Sequence, residues 1–320
     1  MKRERAAAVA TKTRFAPDRG LTSRMVLVMF LIGLLAVAFI AALVAFVPAR
    51  SLPIVLIFAA LILGAQFFFS DKIATFAMGA REVSPEQAPE LHAIVDRLCA
   101  MANMPKPRVA ISETPVPNAF ATGRNPNNAV ICVTTGLMRN SNLTQEEVEG
   151  VLAHELSHVA HRDVLVITIA SFLGILAGLI ARMAFWFGLG GGDDREGDSG
   201  AIAQLVIMLV SVVTYAISFL LVRALSRYRE LAADRAGAHL TGNPMALASA
   251  LQKITGDMAK IPQQDLRAAE PYNAFYFAPA IASKESLMAL LATHPSTEKR
   301  VEQLIKISDQ LGSNSGQLGR

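Results

Sequence analysis

Apolar residues in this chain fall into two regimes: long unbroken runs, and shorter stretches where polar and apolar positions alternate with a period. Met25 to Val47 is 23 residues without a charge, enough for a helix to cross a bilayer. Leu52 to Phe69 is a second such run, with Pro53 at its start, where a missing N–H costs little. Val164 to Ala181 is a third, extended past Arg182 by Met183 to Phe187. Ala201 to Val222 is a fourth, with Gln204 as its strongest polar interruption. The pattern predicts four transmembrane helices. The last two runs either cross fully or dip in as a hairpin, and both arrangements return the chain to its starting side.

Outside these runs the periods shorten. Pro85 to Met101 predicts an amphipathic helix, with Leu91, Ile94, Val95 and Leu98 on one face. Pro107 to Ser112 predicts a short strand, and Asn118 to Gly123 and Ala129 to Thr134 predict a strand pair joined by a turn. Thr144-Gln145-Glu146-Glu147 is a capping box that starts another helix, which runs almost directly into the third apolar run. The chain therefore divides into a basic tail (1–24), two spans (25–69), the first part of a soluble domain (70–163), a membrane pair (164–222) and the second part of that domain (223–320). The two soluble parts total roughly 190 residues, ample for one folded domain. No internal repeat is evident; Gly188 to Gly200 reads as a flexible acidic loop and Ser313 to Arg320 as a frayed tail.

Composition agrees: 52% hydrophobic and 18% charged residues suit a multi-pass membrane protein. The first run is too long for a cleaved signal peptide and is expected to be retained. Charge then sets the orientation. Lys2, Arg3, Arg5, Lys12, Arg14, Arg19 and Arg24 precede the first run, and only Arg50 lies between the first two. The loop after the third run holds Asp193, Asp194, Glu196 and Asp198, whereas Arg223, Arg227, Arg229 and Arg235 follow the fourth. Positive-inside counting places both termini and the soluble domain in the cytoplasm; a cell (inner) membrane is the expected location. Topology accounts for the basic residues, so nucleic acid is not an expected partner. Cys99 and Cys132 share the cytoplasmic side, which argues against a disulfide.

The candidate chemistry lies in His154-Glu155-Leu156-Ser157-His158, an H-E-x-x-H on the helix opened by the capping box. Histidines four apart share a helix face, so one metal ion can meet both rings, and the intervening glutamate can serve as base to a water. A polar, solvated helix face is the bland alternative. A catalytic zinc needs a third protein ligand and an open position. Glu230-Leu231-Ala232-Ala233-Asp234 offers one: Glu230 lies 72 residues after His158 (230 − 158), with two crossings between them, so it returns to the same side. Its bland reading is a surface ion pair with Arg227 or Arg229. Asp234, one turn on, is the first candidate to accept from a ligand histidine's other ring nitrogen; Asp163 is the second. His294 is the candidate for contact with the developing oxyanion or the substrate, against a structural role as a helix cap. His161 reads as a surface or interfacial residue rather than a ligand, and His92 and His239 as ordinary.

Taken in order, paired N-terminal spans, P-N-A-F-A-T-G at Pro117 to Gly123, T-G-L-M at Thr135 to Met138, H-E-L-S-H, R-E-L-A-A-D at Arg229 to Asp234 and T-H-P-S-T-E-K-R at Thr293 to Arg300 resemble the HtpX-type membrane zinc metalloproteases, relatives of the CAAX prenyl endoproteases. The resemblance covers nearly the whole chain; the long basic N-terminal extension is the less typical part. It implies an α+β glutamate-zincin domain and one Zn²⁺ per chain held by His154, His158 and Glu230, with Glu155 as catalytic base. It also implies a substrate strand lying along an edge near Asn118 or Ala129, Val130 and Ile131. Expected partners are membrane-protein and unfolded polypeptide substrates, the lipid bilayer and membrane quality-control proteins.

Other functions compete. A prenyl-protein endoprotease would need a chamber enclosed by more spans. A catalytically idle scaffold has no use for a base, and Glu155 is intact. A transporter would carry paired charges within its spans; here they are nearly charge-free apart from Arg182 near an end.

Overall fold

A computed structural model describes residues 19–46, individual positions between 53 and 68, and residues 69–140, 142–189, 197–260 and 294–318. Helix α1 (Arg19–Phe46) is the first apolar run. Half of the second run, Leu52 to Phe69, lies outside the described residues, as does most of the tail 1–24. Helix α2 (Ser70–Ala77) follows, then strand β1 (Ala80–Glu82), helix α3 (Pro89–Ala102), and strands β2 (Arg108–Ser112), β3 (Ala119–Thr122) and β4 (Val130–Thr134). Helix α4 (Gln145–Ala160) carries the two histidines of the H-E-x-x-H motif. Helices α5 (Asp163–Leu189) and α6 (Gly197–Thr241) contain the third and fourth runs; α7 (Pro244–Met258) and α8 (Thr297–Leu318) close the described chain. Among the described residues, α1, α5 and α6 are long and apolar enough to span a membrane, three of the four expected crossings.

The membrane bundle is held by one stripe per helix. Val28, Ile32, Phe39 and Leu43 of α1 pack against Ala170, Leu173, Leu176, Ala177 and Ile180 of α5 and Leu225 of α6. Helix α6 has 45 residues, about 68 Å of axis against about 30 Å of hydrocarbon. Its C-terminal part therefore leaves the bilayer and continues into the soluble domain, where Leu231, Ala233, Ala236 and Ala238 are buried. The chain changes direction between α4 and α5 at Arg162, whose φ is 55°.

The soluble domain is built on a four-stranded sheet of order β1-β2-β4-β3. The pair predicted for 118–123 and 129–134 is present and antiparallel, with Ala121 opposite Ile131. Strand β4 also pairs in parallel with β2, Val109 opposite Ile131. All five of its residues are buried, which suits the unbroken V-I-C-V-T run of a central strand. This corrects one expectation. Ala129, Val130 and Ile131 do not border an open edge: Ala129 accepts from the Arg108 amide at 3.0 Å, and β4 is flanked by β2 and β3. The edge beside the histidine helix belongs to β3. Short β1, which has no clear periodic signal, forms the opposite edge.

One sheet face, through Ile131 and Val133, meets Leu91, Val95 and Leu98 of α3 and Val151, Leu152 and Leu156 of α4. Leu247, Leu251 and Ile254 of α7 and Leu304 and Ile307 of α8 complete that core. The other face, through Phe120, Val130 and Cys132, meets Ala74 of α2. Helix α4 is thus surrounded, and Val151 through Ser157 are all buried, polar residues included. Its capping box is formed as the sequence predicts, with Thr144 and Glu147 exchanging backbone and side-chain hydrogen bonds.

Candidate metal centre and active site

Helical spacing places His154 and His158 on one face of α4, their Nε2 atoms 3.1 Å apart. Helix α6 crosses that face and delivers Glu230, with Oε2 3.6 Å from His154 Nε2 and Oε1 3.4 Å from His158 Nε2. Ligand-capable atoms of these three residues all lie within 4.8 Å of one another, and they are the group among the described residues that could hold a metal ion. Glu230 is 7% exposed, so the alternative of a surface ion pair fails. Its neighbour Arg229 pairs instead with Asp163.

The remaining ring nitrogens test whether the donor set fits a metal. His154 Nδ1 lies 2.8 Å from Asp234 Oδ1, and His158 Nδ1 lies 2.6 Å from Asp163 Oδ2. A carboxylate only accepts, so each Nδ1 carries the proton and each Nε2 presents a lone pair. Two lone pairs and a carboxylate therefore converge on one buried point. Such a cluster of acceptors calls for a cation. Burial works against charge on His154, yet Asp234 and Glu230 outweigh it and its pKa is raised. The same holds for His158, where burial is overcome by Glu230 and Glu155. The site attracts positive charge, and two imidazoles with one carboxylate suit a borderline divalent ion.

Asp234 and Asp163 take one histidine each, and each carboxylate is held in turn by an arginine. Arg300 of α8 donates to Asp234 through Nε at 2.7 Å and through a terminal nitrogen at 2.6 Å. It is 1% exposed, and Asp234 keeps its guanidinium charged against the cost of burial. Arg229 of α6 holds Asp163. Sequence reasoning gave Arg300 no role, and read Arg229 only as an orienting charge or a surface partner of Glu230. A signal for Arg300 exists: it lies four and seven positions before the buried Leu304 and Ile307, on the apolar stripe of α8, where a solvated charge would not sit.

Glu155 faces β3. Its Oε2 accepts from the Ala121 amide at 3.0 Å, so the carboxylate lies on the outer side of the edge strand. Burial pushes the Glu155 pKa up, against the lowering influence of His154 and His158. A carboxylate whose pKa is raised is a stronger proton acceptor than an ordinary one. Thr134 N donates to Asn118 O at 2.9 Å, so in the antiparallel ladder residues 118, 120 and 122 bond to β4. Ala119 and Ala121 turn their backbone groups outward, and Asn118 does not: its backbone is committed to Thr134.

His294 lies buried beside the cluster, with Nδ1 3.0 Å from Glu230 Oε2. The helix-cap role belongs to Ser296, whose hydroxyl accepts from Lys299 N at 3.3 Å. His161 is at the end of α4, its ring against Ser157 O, outside the ligand cluster. His92 is a buried core residue whose Nε2 lies 3.0 Å from Val83 O.

Apolar helices joined to a soluble domain with this donor set and an adjacent buried glutamate define a membrane-anchored metallopeptidase. Residues 85–308 match the family "Peptidase family M48", and the chain belongs to it. It is 60% identical over 301 residues to "Protease HtpX homolog 1" of Streptomyces coelicolor, covering 94% of this chain and 97% of that one. It is 50% identical over 302 residues to "Protease HtpX homolog" of Moorella thermoacetica, covering 94% and 98%. Among solved structures, Ste24p of S. mikatae is similar in fold, with TM-score 0.50 and 15% identity, over 90% of this chain and 66% of that one. The protein is a metallo-endopeptidase of the membrane.

Proposed function

We propose that the protein is a zinc-dependent endopeptidase that cleaves misfolded or damaged membrane proteins from the cytoplasmic side of the cell's inner membrane, in quality control and stress response. The observation that carries this reading is the placement of Glu155 between the donor cluster and the outer edge of β3. His154, His158 and Glu230 would hold the zinc. Bound there, zinc supplies Lewis acidity to the scissile carbonyl and to the attacking water.

The chain's own residues do the rest. An extended substrate lies along β3, pairing with the outward backbone groups of Ala119 and with the Ala121 carbonyl, the Ala121 amide being held by Glu155. Glu155 takes the proton of the attacking water as the new C–O bond forms. It then gives that proton to the leaving amine as the C–N bond breaks. His294, beside Glu230, is placed to donate to the oxygen that gains charge. Asp234 and Asp163 hold the two imidazoles in the required tautomer.

Substrate class follows from depth. Asp163 contacts His158 and is also the first residue of the apolar helix α5, and Glu230 lies eight positions after Val222, about 12 Å of helix. The site therefore sits within roughly a headgroup layer of the hydrocarbon. On the far side of β3, Thr122 bonds the Ser70 carbonyl of α2, a helix region exposing Phe68, Phe69, Ile73 and Phe76. A soluble globular substrate would have to unfold locally to reach β3, whereas a loop of a misassembled membrane protein is already there. The lysine and arginine asymmetry supports the cytoplasmic side.

The test reconstitutes the protein with a membrane-anchored substrate whose cleavable sequence is moved stepwise from the bilayer. Cleavage should be abolished by chelation and by Glu155→Gln, with zinc still bound in that variant, and should peak close to the membrane. Retained cleavage in Glu155→Gln sinks the mechanism; a rate indifferent to distance sinks the substrate class.

A further inference from the structure

The two histidine orienters are built differently. Asp234 and its Arg300 join α6 to α8 inside the soluble domain. Asp163 and its Arg229 join α5 to α6, the two membrane helices that meet the domain at its membrane side. Asp163 is the first residue of α5, set there by the turn at Arg162, and its carboxylate reaches back 2.6 Å to His158 Nδ1. Arg229 immediately precedes Glu230 on α6, is 9% exposed, and also donates to the His161 carbonyl at 3.4 Å. One turn of α6 thus carries both a candidate ligand and the clamp on the orienter of another.

We propose that Asp163 and Arg229 form a positioning pair that fixes the His158 imidazole and ties the geometry of the metal centre to the relative placement of α5 and α6. This rests on the reading of His154, His158 and Glu230 as zinc ligands. A shift of α6 against α5 moves Glu230 directly and moves His158 through Arg229 and Asp163. The pair therefore makes zinc retention a property of the assembled membrane bundle as well as of the soluble domain. Neither residue touches the reacting atoms.

The experiment uses the full chain in detergent or lipid nanodiscs, and zinc affinity is read by competition with a chromophoric chelator. Removing Asp163 alone would strand a buried guanidinium, so the informative variant is the double substitution Asp163→Ala/Arg229→Leu, which leaves no orphan charge. Its zinc affinity should fall ten- to hundredfold, the usual effect of losing an orienting partner. At saturating zinc its kcat should fall while KM stays within about twofold of the native value. Thermal unfolding of the metal-free protein should be nearly unchanged, whereas the added stability on zinc binding should shrink. Arg229→Lys, which keeps the charge, should recover most of the affinity. Native zinc affinity in the double variant overturns the proposal. Failure of the native chain itself to bind zinc overturns the ligand reading instead.

Discussion

Gly237 of α6 lies against the backbone of His154: a Cβ at position 237 would sit 2.9 Å from the His154 amide nitrogen. The two helices that supply the proposed ligands therefore approach as closely as main chains allow, and only a glycine permits it. Gly237→Ala should push α6 away from α4. We expect a loss of about 1–3 kcal/mol in stability, as for overpacked cores, together with a fall in bound metal. Thermal melts and metal analysis on one preparation check both; an unchanged metal content would show that the contact does not set the site.

Glu230→Ala leaves two imidazoles at the cluster, too few for a tight site. Metal content of the purified protein should drop well below one per chain, and proteolysis with it. If metal and activity both persist, another residue beside the cluster, such as His294 or Asp234, is the third ligand.

Glu147 offers a stability test away from the metal. It closes the α4 capping box and also accepts from Ser249 Oγ at 2.6 Å and Lys253 Nζ at 2.8 Å, joining α4 to α7. Burial acts to raise its pKa, but Lys253, Ser249 and the Thr144 amide prevail and hold it below the ordinary 4.5. A carboxylate lowered by folding stabilises the folded state above its unfolded pKa, and that stability is lost as pH falls through the folded value. Glu147→Gln should cost about 1–2 kcal/mol at pH 7. The gap between variant and native protein should narrow progressively as pH falls below the ordinary 4.5, in chemical unfolding followed across pH. A gap that does not change with pH would mean the contribution is not ionic.

Cys99 and Cys132 are free and buried, and burial pushes their thiols up to about 11 and about 12. At pH 8 fewer than about one in a hundred would be thiolate. The native protein should consume almost no thiol reagent at that pH, and two equivalents after denaturation. Rapid reaction of either cysteine in the folded state would contradict the packing of β4 or α3.

Much of this protein was legible along the chain. Apolar runs marked α1, α5 and α6, because a bilayer demands a length of uncharged helix that one dimension displays. Thr144 and Glu147 announced the start of α4, and the four-residue step from His154 to His158 placed both rings on one face, since both features are local. Parity of crossings allowed Glu230 to return to them. Tertiary structure decided the rest. That β4 is central and β3 the edge depends on β2 pairing with residues some twenty positions on, which alternation within a strand does not encode. That Asp163 and Asp234 divide the two histidines, and that Arg300 is buried 66 residues from its carboxylate, depends on where α5, α6 and α8 pack. Periodicity reports which face of a helix is buried. The partner that face meets, and the charge that waits there, are set only when the elements come together.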